Sequence, residues 1–408
     1  MQKVDKLLQL YRESDFFKPL IEFAGDNKPG HLQLKGLSGS AGAVLASALM
    51  SHQAVPMLCV LPDRESAAYF FNDLENLLQE KDLSYEERNI FFFPATYKKN
   101  PGDHPDKAHV LMRTEVVNRL ATERQYCVLV SYPEALAEKV PAARQLQAQL
   151  LDIRTGDKLS VDFLMDLCLE YGFTRADFVV EPGQFSMRGG IFDLFSFAND
   201  YPYRIEIFDQ QVESLRSFRP EDQLSIKQYG HIRILPDPAR LQKTANIDQE
   251  SLFESMPEDY LLWSAATTEL FERMPDMAAK WPGLRVIEYG PGRSSAGHVV
   301  EWPFSPQPAF NKNFELLIAQ LEKNQRERIS NLLISDNPRQ LQRLESIFET
   351  IHAGRDHEMR FRYESMTISL HEGFTDHLLQ LSCFTDHQIF ERYHRYRLRD
   401  KFPGKQAL

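Results

Sequence analysis

The sequence predicts an α/β protein made of a parallel-sheet domain, a small inserted α+β domain and a further small α/β domain. Short, continuously apolar runs alternate with amphipathic helices in the first third of the chain, which is typical of a parallel sheet covered on both faces. A strand-rich stretch at 178–225 then interrupts this alternation, and mixed helices and strands resume after it. The length of 408 residues is sufficient for two to four domains.

The elements of the first third follow from the positions of the apolar runs. Four short runs, each bounded by turn residues, predict strands at 32–37, 56–61, 89–93 and 126–131. Pro94 stops the third of these strands because proline cannot donate to a sheet ladder. Between the strands, apolar residues recur at helical spacing, which predicts helices at 41–50, 63–80 and 107–124.

The middle of the chain has the pattern of an antiparallel sheet that follows one helix. Ser160 is a predicted N-cap, and Gly172 ends the same helix. In Tyr203–Phe208 polar and apolar residues alternate strictly, so Arg204 and Glu206 should share the face opposite the isoleucines. A small α+β insert is therefore expected here.

A cluster of prolines at Pro303, Pro306 and Pro308 predicts a linker before the last unit. With the insert, this divides the chain into four segments. Residues 1–138 and 229–307 would form the two parts of one α/β domain, and 139–228 would be the insert. Residues 308–408 would form a small α/β domain that ends in the start of a basic linker.

Composition excludes several classes of protein. The chain is 43% hydrophobic and lacks an apolar run of the roughly 20 residues that a membrane-spanning helix needs. Its four cysteines lie far apart without a C-x-x-C pair, which argues against a disulfide scaffold and suits a reducing cytoplasm. The formal net charge of −11 makes the whole surface a poor partner for nucleic acid.

One basic stretch is the exception to this acidic composition. It carries four closely spaced arginines with interleaved aromatic residues, which together can contact phosphates and stack on bases: Arg392, Arg395, Arg397 and Arg399. The alternative, which we favour, is a solvated basic linker. The sequence also stops without a terminal cap, so we expect it to be part of a longer protein.

The turn between the first strand and the next helix has the position of a phosphate-binding loop. Such a loop reads G-x-x-x-x-G-K-[ST], where the lysine contacts phosphate and the hydroxyl binds Mg²⁺. Here Gly36 and Gly39 remain, but Ala41, Gly42 and Ala43 replace the second glycine, the lysine and the hydroxyl residue. The chain also has no Asp-Glu pair to position Mg²⁺ and water. A tight small-residue turn is favoured over a relict nucleotide site, and an active ATPase is not expected.

Other chemistry is not indicated by the sequence. The histidines do not form an H-E-x-x-H pattern, and there is no G-x-S-x-G motif. We therefore predict no catalytic residue, no metal site and no cofactor in this chain.

The most informative segment begins E-P-G-Q-F-S-M-R-G-G-I-F-D-L-F at position 181. It continues as P-Y-R-I-E-I-F-D from 202 and V-E-S-L-R-S-F from 212. This run resembles a conserved motif of the excision-repair protein UvrB and of the bacterial transcription-repair coupling factors, with Gln184 in place of the usual glutamate. The degenerate loop, and the short 95–106 connection where UvrB has a long aromatic hairpin, favour the N-terminal UvrB-homology region of the coupling factors.

The resemblance implies a RecA/helicase-like first domain with a degenerate phosphate loop, and an insert that binds UvrA. It transfers partner-binding roles to five positions: Arg175, Phe185, Arg188, Arg204 and Glu206. A further arginine of that set is Ser186 here. On sequence alone the four charged positions could equally be solvated sheet residues, with Arg188 paired to Glu181 or Asp193.

The rest of the longer protein would carry the RNA-polymerase contacts and the translocase that uses ATP and Mg²⁺. Three functions stay open at this point. The chain could be a non-catalytic module that binds UvrA, a UvrB-like ATP-dependent enzyme that opens DNA, or an autoinhibitory module that contacts the protein's own C-terminal domains. The first and third are compatible, and no membrane role is expected.

Overall fold

The protein is described by a computed structural model. The structure describes residues 3–26, 28–81, 83, 87–96, 107–122, 127–197, 199, 201–237, 248–280, 283–290, 297–353 and 361–391. The predicted fold class, a RecA/helicase-like parallel sheet with smaller α+β and α/β parts, is confirmed.

The strands of the described residues are numbered in chain order. They are β1 Gly30–Lys35, β2 Met57–Val60, β3 Ile90–Phe92, β4 Val128–Ser131, β5 Val140–Pro141, β6 Leu151–Arg154, β7 Thr174–Arg175, β8 Gln184–Arg188, β9 Ile191–Leu194, β10 Tyr203–Phe208, β11 Gln211–Phe218, β12 Ser225–Tyr229, β13 His231–Ile234, β14 Gln249–Glu250, β15 Leu261–Ser264, β16 Arg285–Tyr289, β17 His298–Glu301, β18 Phe304–Pro306, β19 Ser330–Ile334, β20 Glu364–Met366, β21 Phe374–Asp376 and β22 Leu381–Thr385.

The α-helices of the same residues are numbered in the same way. They are α1 Lys3–Arg12, α2 Lys18–Gly25, α3 Ala41–His52, α4 Arg64–Leu77, α5 Lys107–Thr122, α6 Pro133–Ala137, α7 Ala143–Ala148, α8 Val161–Glu170, α9 Leu252–Ser255, α10 Thr267–Arg273, α11 Pro275–Lys280, α12 Phe314–Arg326, α13 Pro338–Ala353 and α14 Asp386–Ile389.

The first unit is a seven-stranded parallel sheet in the order β17-β1-β16-β15-β2-β4-β3. Its strands β2, β3 and β4 are buried along their whole length, and every residue of α3 from Ala41 to Met50 is buried as well. Both faces of the sheet are therefore covered, which explains why these strands are continuously apolar rather than alternating. The four strands predicted for the first third are confirmed, with ends that differ by up to about two residues.

The second unit is a six-stranded, mostly antiparallel sheet in the order β12-β11-β10-β9-β8-β7. Helix α8 packs on one face of it, and the predicted cap is confirmed because the Ser160 hydroxyl accepts a hydrogen bond from the Phe163 amide at 3.4 Å. Gly172 follows the helix with φ of +90°, a left-handed conformation that glycine adopts without a steric penalty. The pair β6–β13 completes the same core through Ile153 and Ile232.

The third unit is a mixed five-stranded sheet in the order β18-β21-β22-β19-β20. Alternate residues of β19 face different cores. Leu332 and Ile334 pack with the first unit, whereas Leu333 packs against helices α12 and α13. The third unit thus shares one hydrophobic core with the first.

The proline-rich segment is not a free linker, so that prediction is wrong. Residues Phe304–Pro306 form β18, which pairs with β21 at the edge of the third sheet. An edge strand tolerates Pro306 because one side of its backbone needs no ladder partner. Trp302, just before this strand, is fully buried and donates from Nε1 to Asp376 at 3.2 Å.

Core membership shows where the chain passes between units. Val140 and Leu146 pack in the first core, and Ile232 and Ile234 pack in the second. The predicted divisions at 138, 228 and 307 stay predictions. All four cysteines are buried and none is in a disulfide. No helix of the described residues is long and apolar enough to cross a membrane.

Candidate partner-binding face and degenerate phosphate loop

The face of the second sheet that points away from helix α8 is polar, and we call it the polar face. Strand alternation puts the large apolar residues of β8 to β11 into the core and leaves a second set on the other side. Cross-strand pairing aligns this set: Ser186, Arg188, Ile191, Asp193, Arg204, Glu206, Ser214 and Arg216.

Asp193 is the centre of the polar face. Its side chain is 1% exposed, and two arginines neutralise it. Arg204 donates from Nε to Oδ1 at 2.7 Å and from Nη2 to Oδ2 at 2.9 Å, and Arg188 donates from Nη2 to Oδ2 at 2.7 Å. Two guanidinium groups on one buried carboxylate fix both arginine side chains in place.

Arg204 is largely enclosed, with a side chain 14% exposed. Its guanidinium lies 4.3 Å from the centre of the Phe218 ring and donates to the Gln223 side chain at 2.9 Å. Hydrogen bonding to Asp193 raises the pKa of Arg204 further above its usual range, so the group is charged at every pH of interest. Arg204 therefore has a structural role in addition to its place on the face.

Arg188 is the accessible cation of this cluster. Its side chain is 41% exposed, and the guanidinium lies 4.8 Å from the centre of the Phe178 ring. Phe178 is itself 56% exposed, and Val180 beside it is exposed too. An arginine held by Asp193 on one side and an exposed aromatic ring on the other is a ready contact for another protein.

The turn after Arg188 fixes the direction in which the Arg188 side chain projects from the sheet. Strands β8 and β9 are joined by only two residues, Gly189 and Gly190, and Gly189 has φ of +62°. A Cβ on Gly190 would lie 2.5 Å from the carbonyl oxygen of Ile207, so no larger residue fits there. The two glycines thus allow a tight hairpin that brings Arg188 over the polar face.

Glu206 occupies the next position along β10. It accepts hydrogen bonds from the Ser214 hydroxyl at 2.6 Å and from the Arg216 guanidinium. Both members of the Arg216–Glu206 pair are about one-third exposed. The structure therefore places Arg188, Arg204 and Glu206 on one face, as the alternation of β10 predicts, but each is tied to a neighbour rather than freely solvated.

Two of the five predicted partner-binding residues lie elsewhere. Phe185 is 0% exposed and stacks on Phe192 in the second core, so its side chain supports the sheet and is not available to a partner. Arg175 is exposed on the edge strand β7, where its register partner is Phe185 rather than a residue of the polar face. Alternation alone would have excluded Phe185, because Ser186 and Arg188 have the opposite parity.

The degenerate phosphate loop has a backbone shape that only glycine tolerates at two positions. Gly36 has φ of +85°, and a Cβ there would lie 2.4 Å from the Trp302 carbonyl oxygen. Gly39 has φ of +55°. The next residues start α3, where Ala41, Gly42 and Ala43 are all buried.

The lysine position of the loop is closed by packing. A Cβ on Gly42 would be 3.1 Å from the ring of Tyr289, whose hydroxyl is buried so deeply that its pKa lies well above the usual value. Any side chain at this position would require the Tyr289 ring to shift by a few tenths of an ångström. Glycine at position 42 is thus matched by the surrounding core. The described residues contain no group of three side chains that could hold a metal ion.

Comparison with known proteins assigns the second unit. Residues 151–239 match the family model of the UvrB interaction domain. This part of the chain is therefore similar to the UvrB interaction domain. The match begins at the first residue of β6 and ends after β13, so the matched segment contains the whole second sheet and the whole polar face.

The predicted resemblance to the coupling factors is confirmed by individual relatives. The transcription-repair-coupling factor of Bacillus subtilis is 31% identical over 234 residues, which are 57% of this chain and 19% of the relative. The factor of the same name from Escherichia coli is 26% identical over 212 residues, 51% of this chain and 18% of the relative. The UvrABC system protein B of Streptomyces avermitilis is 23% identical over 238 residues, 55% of this chain and 33% of the relative. The matched region thus spans about a fifth of the coupling factors.

The four arginines predicted as DNA contacts lie outside the described residues: Arg392, Arg395, Arg397 and Arg399. Within the matched segment, the sequence does not single out Phe178, because this residue lies between β7 and β8 and has no periodic signal. Asp193 was considered only as one partner of Arg188, although its parity in β9 points it away from Phe192 and toward both arginines.

Proposed function

We propose that this chain is a non-catalytic recruitment module that binds UvrA through the polar face of its UvrB interaction domain. In this role it brings nucleotide excision repair to a stalled RNA polymerase. The observation that carries the proposal is the accessible half of Arg188 beside the exposed Phe178 ring, both within the matched residues. The matches to transcription-repair-coupling factors support the setting in which the module works.

The pair of Arg188 and Phe178 has the properties of an interface anchor. Arginine and large aromatic residues are enriched among the side chains that dominate binding energy. Asp193 already holds the guanidinium of Arg188 in one orientation, so little side-chain entropy is lost when a partner binds. A carboxylate or a carbonyl cluster on UvrA is the complementary chemistry.

The other partners of this proposal belong to the longer protein. RNA polymerase would be contacted through other domains, and the protein's own C-terminal domains would cover the polar face until they are displaced, which is an autoinhibitory arrangement. ATP and Mg²⁺ would serve the translocase part, so this chain would need no cofactor. Direct DNA binding would be weak, and the module would act in the cytoplasm.

A titration of the chain with purified UvrA, with and without ATP, tests the proposal. We expect saturable binding that Arg188→Ala weakens roughly ten-fold or more, since truncating a charge anchor costs about 2–5 kcal/mol when its partner is left buried. Arg233→Ala is the matched control. Arg233 lies on β13 of the same unit, where it pairs with Asp152 of β6 away from the polar face. Equal affinity of the folded Arg188→Ala variant and the parent would remove this face from the proposal.

The competing function is a UvrB-like ATP-dependent enzyme. Phosphate release measured with and without DNA separates the two, because a recruitment module should show no turnover above background. DNA-stimulated hydrolysis in a clean preparation, or a large thermal shift with Mg-ATP, would favour the enzyme.

A further inference from the structure

The 371–373 segment of the third unit, just before β21, contacts the degenerate phosphate loop directly. The Ser40 amide donates to the Glu372 carbonyl oxygen at 3.2 Å, and the Glu372 amide donates to the Ser40 hydroxyl at 2.9 Å. These reciprocal bonds join residues 332 positions apart in sequence. The N-cap residue of α3, whose amide in a working phosphate loop would face the ligand, is therefore occupied by the chain itself.

Helix α4 supplies a second set of contacts to the same segment. Asp73 is 2% exposed and accepts hydrogen bonds from the Ser40 hydroxyl at 2.6 Å and from the His371 amide at 2.8 Å. One turn earlier, Tyr69 stacks on the His371 ring with centroids 3.5 Å apart and planes within 7° of parallel. The loop and α4 together thus hold both the backbone and one side chain of the segment.

The fit between loop and segment leaves no room for a side chain at Gly39. A Cβ at this position would lie 2.6 Å from the carbonyl oxygen of Gly373 and 3.3 Å from the Glu372 Cβ. Gly39 stands at a variable position of the phosphate-loop pattern, and here its missing side chain lets a peptide backbone approach the loop closely.

The space beside this contact has the wrong charge for a nucleotide. A cavity of about 530 Å³ is lined by four carboxylates, those of Asp63, Glu65, Asp73 and Glu372, together with His371 and His387. Among the described residues that line it, none is a lysine or an arginine. Polyphosphate carries several negative charges at neutral pH, so the carboxylates of Asp63, Glu65 and Glu372 would repel it.

We infer that the degenerate phosphate loop is an intramolecular docking site whose ligand is the 371–373 segment, and that this contact takes the place of a nucleotide in coupling the first and third units. The same loop architecture that approaches phosphate through glycine and a helix N-terminus here binds a peptide through Gly39, Ser40 and Asp73. The 371–373 segment occupies the loop and the neighbouring carboxylates repel phosphate, so a nucleotide is excluded. This exclusion does not depend on whether the chain binds UvrA.

Hydrogen exchange at single amides tests this inference in the whole chain. Gly39→Val places a side chain against Gly373 and should speed exchange of the His371 and Glu372 amides roughly ten-fold or more. The Ile329 amide is an internal reference, because it donates to the Asn324 carbonyl oxygen within the third unit at 2.8 Å and lies outside the segment. Gly189→Val is the matched control: Gly189 also has a positive φ, but a Cβ there meets nothing within 4 Å.

Two further measurements keep the outcome decisive if Gly39→Val does not fold. Ser40→Ala removes the hydroxyl that accepts from the Glu372 amide and donates to Asp73. It should speed exchange of the Glu372 amide roughly ten-fold while leaving the Ile329 amide unchanged. Mg-ATP added to the parent should leave the exchange of these amides unaltered. Unchanged protection of Glu372 in folded Ser40→Ala, or a shift of its exchange by Mg-ATP, would overturn the inference.

Discussion

Two buried aspartates organise the two candidate functional regions of this molecule, and they are satisfied in opposite ways. Asp193 in the second unit has two arginine partners, and one of them, Arg188, has a side chain that is 41% exposed. Asp73 at the degenerate loop accepts from neutral donors, the Ser40 hydroxyl and the His371 amide. The arginines paired with Asp193 leave positive charge at the surface of the second unit. The neutral donors bound to Asp73 come from the first and third units, so this carboxylate joins two parts of the chain.

Burial raises the pKa of Asp73 to about 7, and the nearby Glu372 carboxylate adds to this rise, while the hydrogen bonds from Ser40, the His371 amide and Asn72 oppose it. The region around Asp193 is thus suited to a charged partner, and the region around Asp73 to contacts within the chain.

The largest effect is expected for Arg204→Glu. It removes one partner of the buried Asp193 and puts a second carboxylate beside it, which should lower the free energy of unfolding by about 3–5 kcal/mol. Urea denaturation measures this. Arg219→Glu is the control, because Arg219 forms an exposed pair with Asp222, and its transition midpoint should stay near that of the parent. A midpoint for Arg204→Glu equal to the parent's would mean that Arg204 is a solvated residue.

A pH series on Asp73→Asn sharpens the other side of the contrast. The native state keeps the Asp73 proton up to about pH 7, whereas the unfolded chain loses it near pH 4, so the native state binds more protons between these values. The stability of the parent relative to Asp73→Asn should therefore fall by a few kcal/mol as pH rises from about 4 to 8. The asparagine keeps an acceptor for the His371 amide. A difference that does not vary with pH would contradict the raised pKa.

Restoring the phosphate-loop residues should cost stability and yield no activity. In Gly42→Lys with Ala43→Thr, the lysine meets the Tyr289 ring, and overpacking of this kind lowers stability by about 1–3 kcal/mol. Phosphate release should stay at background because the 371–373 segment and the cavity carboxylates remain. ATP turnover by this double variant would show that the loop alone had prevented catalysis.

Phe178→Ala should weaken UvrA binding several-fold, about 1 kcal/mol, without a change in melting temperature, since the exposed ring contributes little to the fold. Phe163→Ala provides the comparison, because Phe163 is similarly exposed but lies on α8, which covers the opposite side of the sheet. Equal losses for both variants would point to a nonspecific effect of surface apolar area.

The smallest effect concerns DNA. Binding by the chain should be weak and steeply salt-dependent, and deletion of residues 392–408 should remove most of it, with a loss of roughly 0.9 in the log–log salt slope for each phosphate contact. Fluorescence anisotropy over a salt series measures the slope. If the deletion leaves both affinity and slope unchanged, the basic stretch with the four arginines is a solvated linker.

The sequence alone determined the local features of this protein. Continuous apolar runs specified the buried parallel strands, because a strand covered on both faces needs no polar side. Strict alternation in Tyr203–Phe208 placed Arg204 and Glu206 on one face. The residues at 41–43 showed that the phosphate loop had lost its lysine and hydroxyl, and the run from 181 indicated the family resemblance. Each of these signals lies within a few neighbouring residues.

Only the tertiary structure decided what those faces meet. Periodicity tells which side of a strand a residue occupies, but not that Arg204 is tied to a buried Asp193, nor that the prolines at 303–308 contribute an edge strand. The contact between Ser40 and Glu372 joins residues from opposite ends of the chain. Such contacts depend on how whole sheets pack. The free energy that selects one packing comes from many side chains that are distant in sequence, so no local motif predicts it.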